Sequence, residues 1–245
     1  MTASISLTVN KSPEIKRIYV YKIDHDLGTN PNPFGNYCTL AHCKGYMRDS
    51  ISNYVNEQKR INPKSTVSDL GIWVIGIAGK NLNYDGIDRY GRIVYIMQVT
   101  ELHTYNEYWN DQRLRYKKSI FNDDELLKSE LKNYQFYKEN ANYLVCGDNQ
   151  KDIYDYNSKS VPYKHILLSD RFEYYGTDSH KNIKLLDYLG LKETDKFRGH
   201  RRYPSDNYPS IPPEIMEFIK NTFKGRKCLS RPTFSSPDFK IPKRV

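Results

Sequence analysis

Cysteine is scarce in this chain of 245 residues, and its spacing is unsuited to metal. The four cysteines are Cys38, Cys43, Cys146 and Cys228. No CxxC pair occurs, and the one close pair, Cys38 and Cys43, has His42 between them without further ligands at matching spacing. A structural zinc site is therefore not expected, nor is any other cofactor. Long apolar runs are also missing. The first 15 residues hold no continuous apolar core, and no stretch reaches the length of a membrane span. The expectation is a cytoplasmic protein with reduced thiols and no membrane partner. Recognised catalytic patterns are missing too: there is no HExxH and no Ser-His-Asp order. The segment Gly76-Ile77-Ala78-Gly79-Lys80 lacks the Walker spacing and the Ser or Thr that should follow its lysine.

Hydrophobic residues make up only 38% of the chain, and 22 residues are tyrosine. A tyrosine has an apolar ring and a polar tip, so rings in such numbers should reach surfaces and grooves where they can stack on bases. The net charge is +9, which favours polyanionic partners. Residues 224–245 carry seven basic residues against one acid, with Pro232, Pro237 and Pro242. That composition reads as an extended, poorly ordered tail suited to phosphate contact.

The hydrophobic pattern predicts strands at residues 18–23 (IYVYKI), 72–78 (IWVIGIA), 92–101, 143–146, 165–169 and 172–175. The unbroken apolar run 72–78 should be buried on both faces. A short strand from residue 38 should end at a turn at Gly45, with a polar surface helix over 50–61. Thr104 and Glu107 have the spacing of a capping box that opens a short helix. Helices are also expected at 182–190, with Gly190 as C-cap, and at 212–223, where Pro opens the helix and Ile215, Phe218, Ile219 and Phe223 share a face. Regular crossover helices are lacking between most strands. The fold class is therefore read as α+β, a mixed or antiparallel sheet forming a partly closed barrel with short helices. Its parts are a flexible segment 1–16, a domain 17–205, a C-terminal helix 206–223 packed on that domain, and the tail 224–245.

Four constellations are candidates for chemistry. The loop from Asn30, with Asn32, Phe34, Tyr37 and Thr39, offers amides and a hydroxyl for a base edge and rings for its face. The strand end from Trp73 to Lys80, beside Tyr95, is read as lining a pocket. Trp109 followed by Arg113 and Lys117 resembles a single-strand binding strip. The run Arg198-Gly199-His200-Arg201-Arg202-Tyr203 suits a phosphate, and His200 can also transfer a proton. Arg48 and Lys80 are further candidates for phosphate. Asp148 and Glu173 are the acids considered as partners of His200.

Five blocks carry a family resemblance: NPNPFGNYCTLAHCKGYMR (30–48), GIWVIGIAGK (71–80), GRIVYIMQVTELHTYNEYWND (91–111), HILLSDRFEYYG (165–176) and RGHRRY (198–203). On these the sequence resembles the nucleotide modification associated domain 2 family. The resemblance implies a place in systems that make or handle modified nucleobases. The order of buried strand, glycine-containing loop and strand ending in Val-Thr-Glu is also similar to the PUA and EVE barrels, which bind modified bases in a pocket. Three readings follow. The first is binding or processing of modified nucleobases in DNA or nucleotides, within a modification or phage-defence system. The second is a transferase or glycosidase-like enzyme using His200 with Asp148 or Glu173. The third is a factor that acts through a protein partner.

Overall fold

The computed structural model describes residues 14–26, 28, 30–41, 44–83, 85–114, 165–189 and 199–233. A six-stranded mixed sheet forms its centre, in the order β8-β1-β3-β4-β7-β9. These strands are β1 (Arg17–Ile23), β3 (Ile72–Ala78), β4 (Ile93–Gln98), β7 (Arg171–Tyr174), β8 (His200–Tyr203) and β9 (Lys227–Cys228). A second, three-stranded antiparallel sheet has the order β2-β6-β5, from β2 (Cys38–Leu40), β5 (Glu101–Thr104) and β6 (His165–Ser169). The two sheets are joined by covalent continuity. β4 runs on into β5 through Val99 and Thr100, and β6 turns into β7 at Asp170. β4 pairs with β7 and β5 with β6, so one bent antiparallel ribbon belongs to both sheets. The fold is therefore α+β. The expected barrel does not close among the described residues, because the large sheet ends at β8 on one side and β9 on the other.

β1 and β3 lie parallel, with Tyr19 opposite Val74 and Tyr21 opposite Gly76. Parallel neighbours need a crossover, and α1 (Gly45–Ile61) lies in it. Its apolar face, Met47, Ile51 and Val55, repeats every four residues and is buried. With Tyr19, Tyr21, Ile72 and Val74 these side chains form the core on one side of the sheet. A short helix, α2 (Tyr105–Asn110), follows β5, and the other side of the sheet is covered by α3 (Pro213–Asn221). Ile215, Phe218 and Ile219 of that helix, with Phe223 beyond it, pack on Ile18, Val20, Trp73, Ile75 and Ile77. The run 72–78 is thus apolar throughout because β3 has a core on each face.

Several local expectations are corrected. Gly45 is the first residue of α1 rather than a turn, and Lys44 before it takes the left-handed conformation at φ 60°. Residues 182–190 form no α-helix in their described part: Lys184 bridges to Arg92, and a 3₁₀ turn spans Leu185–Tyr188. The first half of the basic tail is built into the fold. Lys227–Cys228 pairs with β7, and Thr233 donates its backbone N–H and its hydroxyl to Asp26. Asp26 also receives the Tyr174 hydroxyl, and burial pushes its carboxyl above the ordinary aspartate value against the pull of these donors. Residues 234–245 and the expected strand 143–146 lie outside the described residues.

Candidate nucleotide-binding cleft

The edge strand β8 pairs antiparallel with β1, placing His200 opposite Tyr21 and Arg202 opposite Tyr19. Side chains alternate along a strand, so His200 and Arg202 share the face on which α1 lies. The helix runs antiparallel to β1, as three contacts mark. The Lys44 ammonium lies 5.3 Å from the Tyr21 ring, the Ser50 and Tyr19 hydroxyls are 3.3 Å apart, and the Arg17 guanidinium stacks 3.6 Å over the Tyr54 ring. Between β8 and the outward face of α1 is a cleft of about 510 Å³ lined by Ser50, His200, Arg201, Arg202, Ser205, Asn207 and Tyr208. A second hollow of about 830 Å³ adjoins it along the helix. That hollow shares Ser50 and Arg202 and adds Arg17, Tyr46, Tyr54 and Arg60 among its walls.

The walls carry Arg17, Arg60, Arg201 and Arg202 against Asp49 and Glu57. The first turn of α1 contains no acidic residue, so its amide dipoles add to the positive potential at that end. His200 is half-buried, and its ring lies 5.9 Å from that of Tyr19. Burial, then the charges of Lys44, Arg202 and Arg201, hold its pKa below the ordinary 6.5. The imidazole is therefore neutral at pH 7, and the fixed charge of the cleft comes from guanidinium groups. Forked guanidinium donors match phosphate oxygens in geometry as well as in charge.

Of the residues singled out in the sequence, the structure brings together His200, Arg201 and Arg202. The others are dispersed. In the loop before β2, Asn32 exchanges backbone hydrogen bonds with Thr39, and its side chain accepts from the Phe34 amide. Phe34 is buried against Gly28. Trp73 belongs to the α3 core, in edge contact with Phe223 at 5.0 Å between centroids. Tyr95 is buried, with its ring packed over Gly76 and against Tyr21. A methyl group on Gly76 would collide with the Tyr95 ring, so this glycine gives room to a tyrosine. Lys80 lies over Tyr90, with 5.4 Å between the ammonium and the ring centroid, and is not on the cleft wall. Arg48 is buried in the inner face of α1 and donates to the His165 carbonyl at 2.5 Å.

Glu173 is separated from His200 by four strand spacings, about 19 Å at normal sheet geometry. Its carboxylate is occupied by the Tyr175 hydroxyl, the amides of Lys224 and Arg226, and the Arg226 guanidinium. The structure therefore does not pair Glu173 with His200. Tyr37 and Arg113 meet elsewhere, on the small sheet. There Arg113 donates to the Tyr37 hydroxyl at 3.0 Å and bridges Glu101 and Asp111, each at 2.7 Å. Those hydrogen bonds hold the Glu101 carboxyl below its ordinary pKa, and the two acids raise that of Arg113. Asp148, Lys117, Arg198 and the Trp109 side chain lie outside the described residues.

Sequence reasoning missed Arg17, Ser50, Tyr54 and Arg60, the residues that extend the cleft. For Ser50, Tyr54 and Arg60 the signal is the polar stripe along α1, which alone reads as a solvated helix face, whereas Arg17 opens β1. It also missed His103, whose Nε2 lies 3.2 Å from Glu101, and the 2.8 Å contact between Ser52 and His165 Nδ1. Among the described residues, no group of three or more His, Cys, Asp or Glu is arranged to hold a metal ion, and no helix is long and apolar enough to cross a membrane.

Neither a curated protein nor a solved structure matches the chain. A family model does match, over residues 15–55 and 59–233, and so takes in α1 apart from residues 56–58, both sheets and the packed segment through Thr233. The chain belongs to the nucleotide modification associated domain 2 family.

Proposed function

We propose that the cleft between α1 and β8 binds the phosphate of a nucleotide or nucleic acid, as a recognition site within a nucleotide-modification system. The observation that carries this reading is the placement of His200 and Arg202 on the sheet face that looks toward the helix, in a polar cleft that Arg201 also lines. The net charge of +9 supports it, as does the family's association with nucleotide modification. The base, including a modified one, would lie against Tyr208 of the cleft or, past Ser50 and Arg202, against Tyr46 of the adjoining hollow. Titration of nucleoside monophosphates by calorimetry tests the reading. Binding should weaken at least tenfold in Arg202→Gln and fall with rising salt. Affinity that is unchanged by both would overturn it.

A second reading has one observation in its favour. A histidine held neutral beside a phosphate site is in the protonation state that a general base requires. On this reading His200 accepts a proton from the attacking group. A mass change in a nucleotide or oligonucleotide that disappears in His200→Ala would support it; binding without product favours recognition alone.

A further inference from the structure

We infer that the ligand of this site is a single strand of nucleic acid laid along α1, not a mononucleotide. This inference rests on the phosphate-binding reading above and extends it to a substrate class. The two hollows adjoin, because Ser50 and Arg202 line both. The outward helix face from Tyr46 to Arg60 covers 14 residue steps, about 21 Å at 1.5 Å per residue. That is too long for one nucleotide and suits a short oligonucleotide; the smallest single-strand sites hold roughly 4 nucleotides. Cations are distributed along the path instead of clustered. Arg202 lies at the junction, Arg17 beside Tyr54, and Arg60 at the far end.

Surfaces for bases alternate with these charges. Tyr46 is 71% exposed at the mouth, an uncommon state for so large a ring. The stack of Arg17 on Tyr54 forms a second flat platform in the wall. Aromatic rings and guanidinium planes interleaved with phosphate-binding charge are the features by which single strands are held without a base code. A duplex hides its base faces and would leave both platforms unused. Asp49 and Glu57 on the same wall oppose close approach of the backbone, so the strand is expected to keep its phosphates on the Arg17–Arg202 side.

The test is calorimetric titration of the full chain with unlabelled oligothymidylates of one, two, four and eight nucleotides, octauridylate, and an eight-pair duplex. Affinity should rise at least tenfold from one to four nucleotides, then level. Octauridylate binding like octathymidylate assigns the contacts to phosphate and base faces; a preference for one assigns a contact to the sugar or to the thymine methyl group. Both outcomes support a single strand. Tyr46→Ala should weaken the tetramer fivefold or more, the low end for a stacking ring. Arg60→Gln should weaken the tetramer and leave the mononucleotide unchanged. Both side chains are exposed, so the variants should fold, which circular dichroism checks. Equal affinity for one and four nucleotides, with both variants silent, would sink the strand while leaving the phosphate site standing if Arg202→Gln still abolishes binding. Preference for the duplex would also overturn it. Binding of none of the probes would remove both readings together.

Discussion

Arg226 Nε reaches Glu173 Oε1 at 3.0 Å, from a guanidinium half-exposed at the surface to a carboxylate with no exposure. The pair ties the segment after α3 to the sheet. Burial raises the pKa of Glu173, but Arg226, Tyr175 and two backbone amides outweigh it, and the net value lies below the ordinary glutamate value of 4.5. A depressed carboxylate contributes stability that is present above pH 4.5 and lost as pH falls through the lower folded value. Arg226→Ala leaves the charge enclosed and short of a partner. Breaking a buried pair in this way costs about 3 kcal/mol at the low end, which applies here because the arginine is half in water. Urea unfolding at pH 7 should show that loss. The acid transition should also move to higher pH, since the carboxyl no longer resists protonation. A variant with unchanged midpoint and acid limb would mean that the contact is incidental.

Gly76 and Tyr95 give a second prediction. The ring occupies the space that a β-carbon would need, and Ile23 closes it from the other side at 2.5 Å. Overpacking of this kind costs about 1–3 kcal/mol. Gly76→Ala should lower the unfolding free energy by that amount, seen as a lower urea midpoint at unchanged m-value. Gly76→Ala with Tyr95→Leu should recover part of the loss, which a phosphate-binding glycine would not do.

The same strand separates a core residue from a site residue. Trp73 is fully buried and packed on Phe223. Trp73→Ala should cost about 3–5 kcal/mol of stability. Nucleotide affinity per folded molecule should not change, measured well below the melting temperature. A loss of affinity at full folding would return Trp73 to the binding site.

These cases show what the sequence could convey. The strands at 72–78 and 165–175 and the Thr104–Glu107 capping box were legible, because burial on two faces and a local hydrogen-bond exchange leave patterns within a few residues. The basic run at 198–203 was legible as charge, but its residues 200–203 were not legible as an edge strand, since the partner β1 lies about 180 residues away. Tyrosine misled most. Tyr19, Tyr21, Tyr95 and Tyr174 are all buried, so a residue type taken as surface material supplies much of the core. The cleft itself depends on the crossover that sets α1 against β8, and no local pattern encodes that contact.

His200 offers the last prediction, in which pH separates the charge of the cleft from its shape. Burial and the charges of Lys44, Arg202 and Arg201 lower its pKa below 6.5. In the window between that folded value and 6.5, the unfolded chain binds the extra proton, so stability should fall as pH drops through the window. His200→Gln should flatten that part of the stability profile. A bound phosphate neutralises the same arginines and favours the protonated ring, so ligand binding should take up a proton. Phosphate affinity should therefore increase as pH falls from 7 toward 5.5, after allowance for the ligand's own second ionisation, which a phosphodiester probe avoids. In His200→Gln the increase should vanish while affinity at pH 7 stays within a fewfold of the parent. Calorimetry in two buffers of different ionisation enthalpy measures the proton uptake directly; zero uptake would separate His200 from the bound anion.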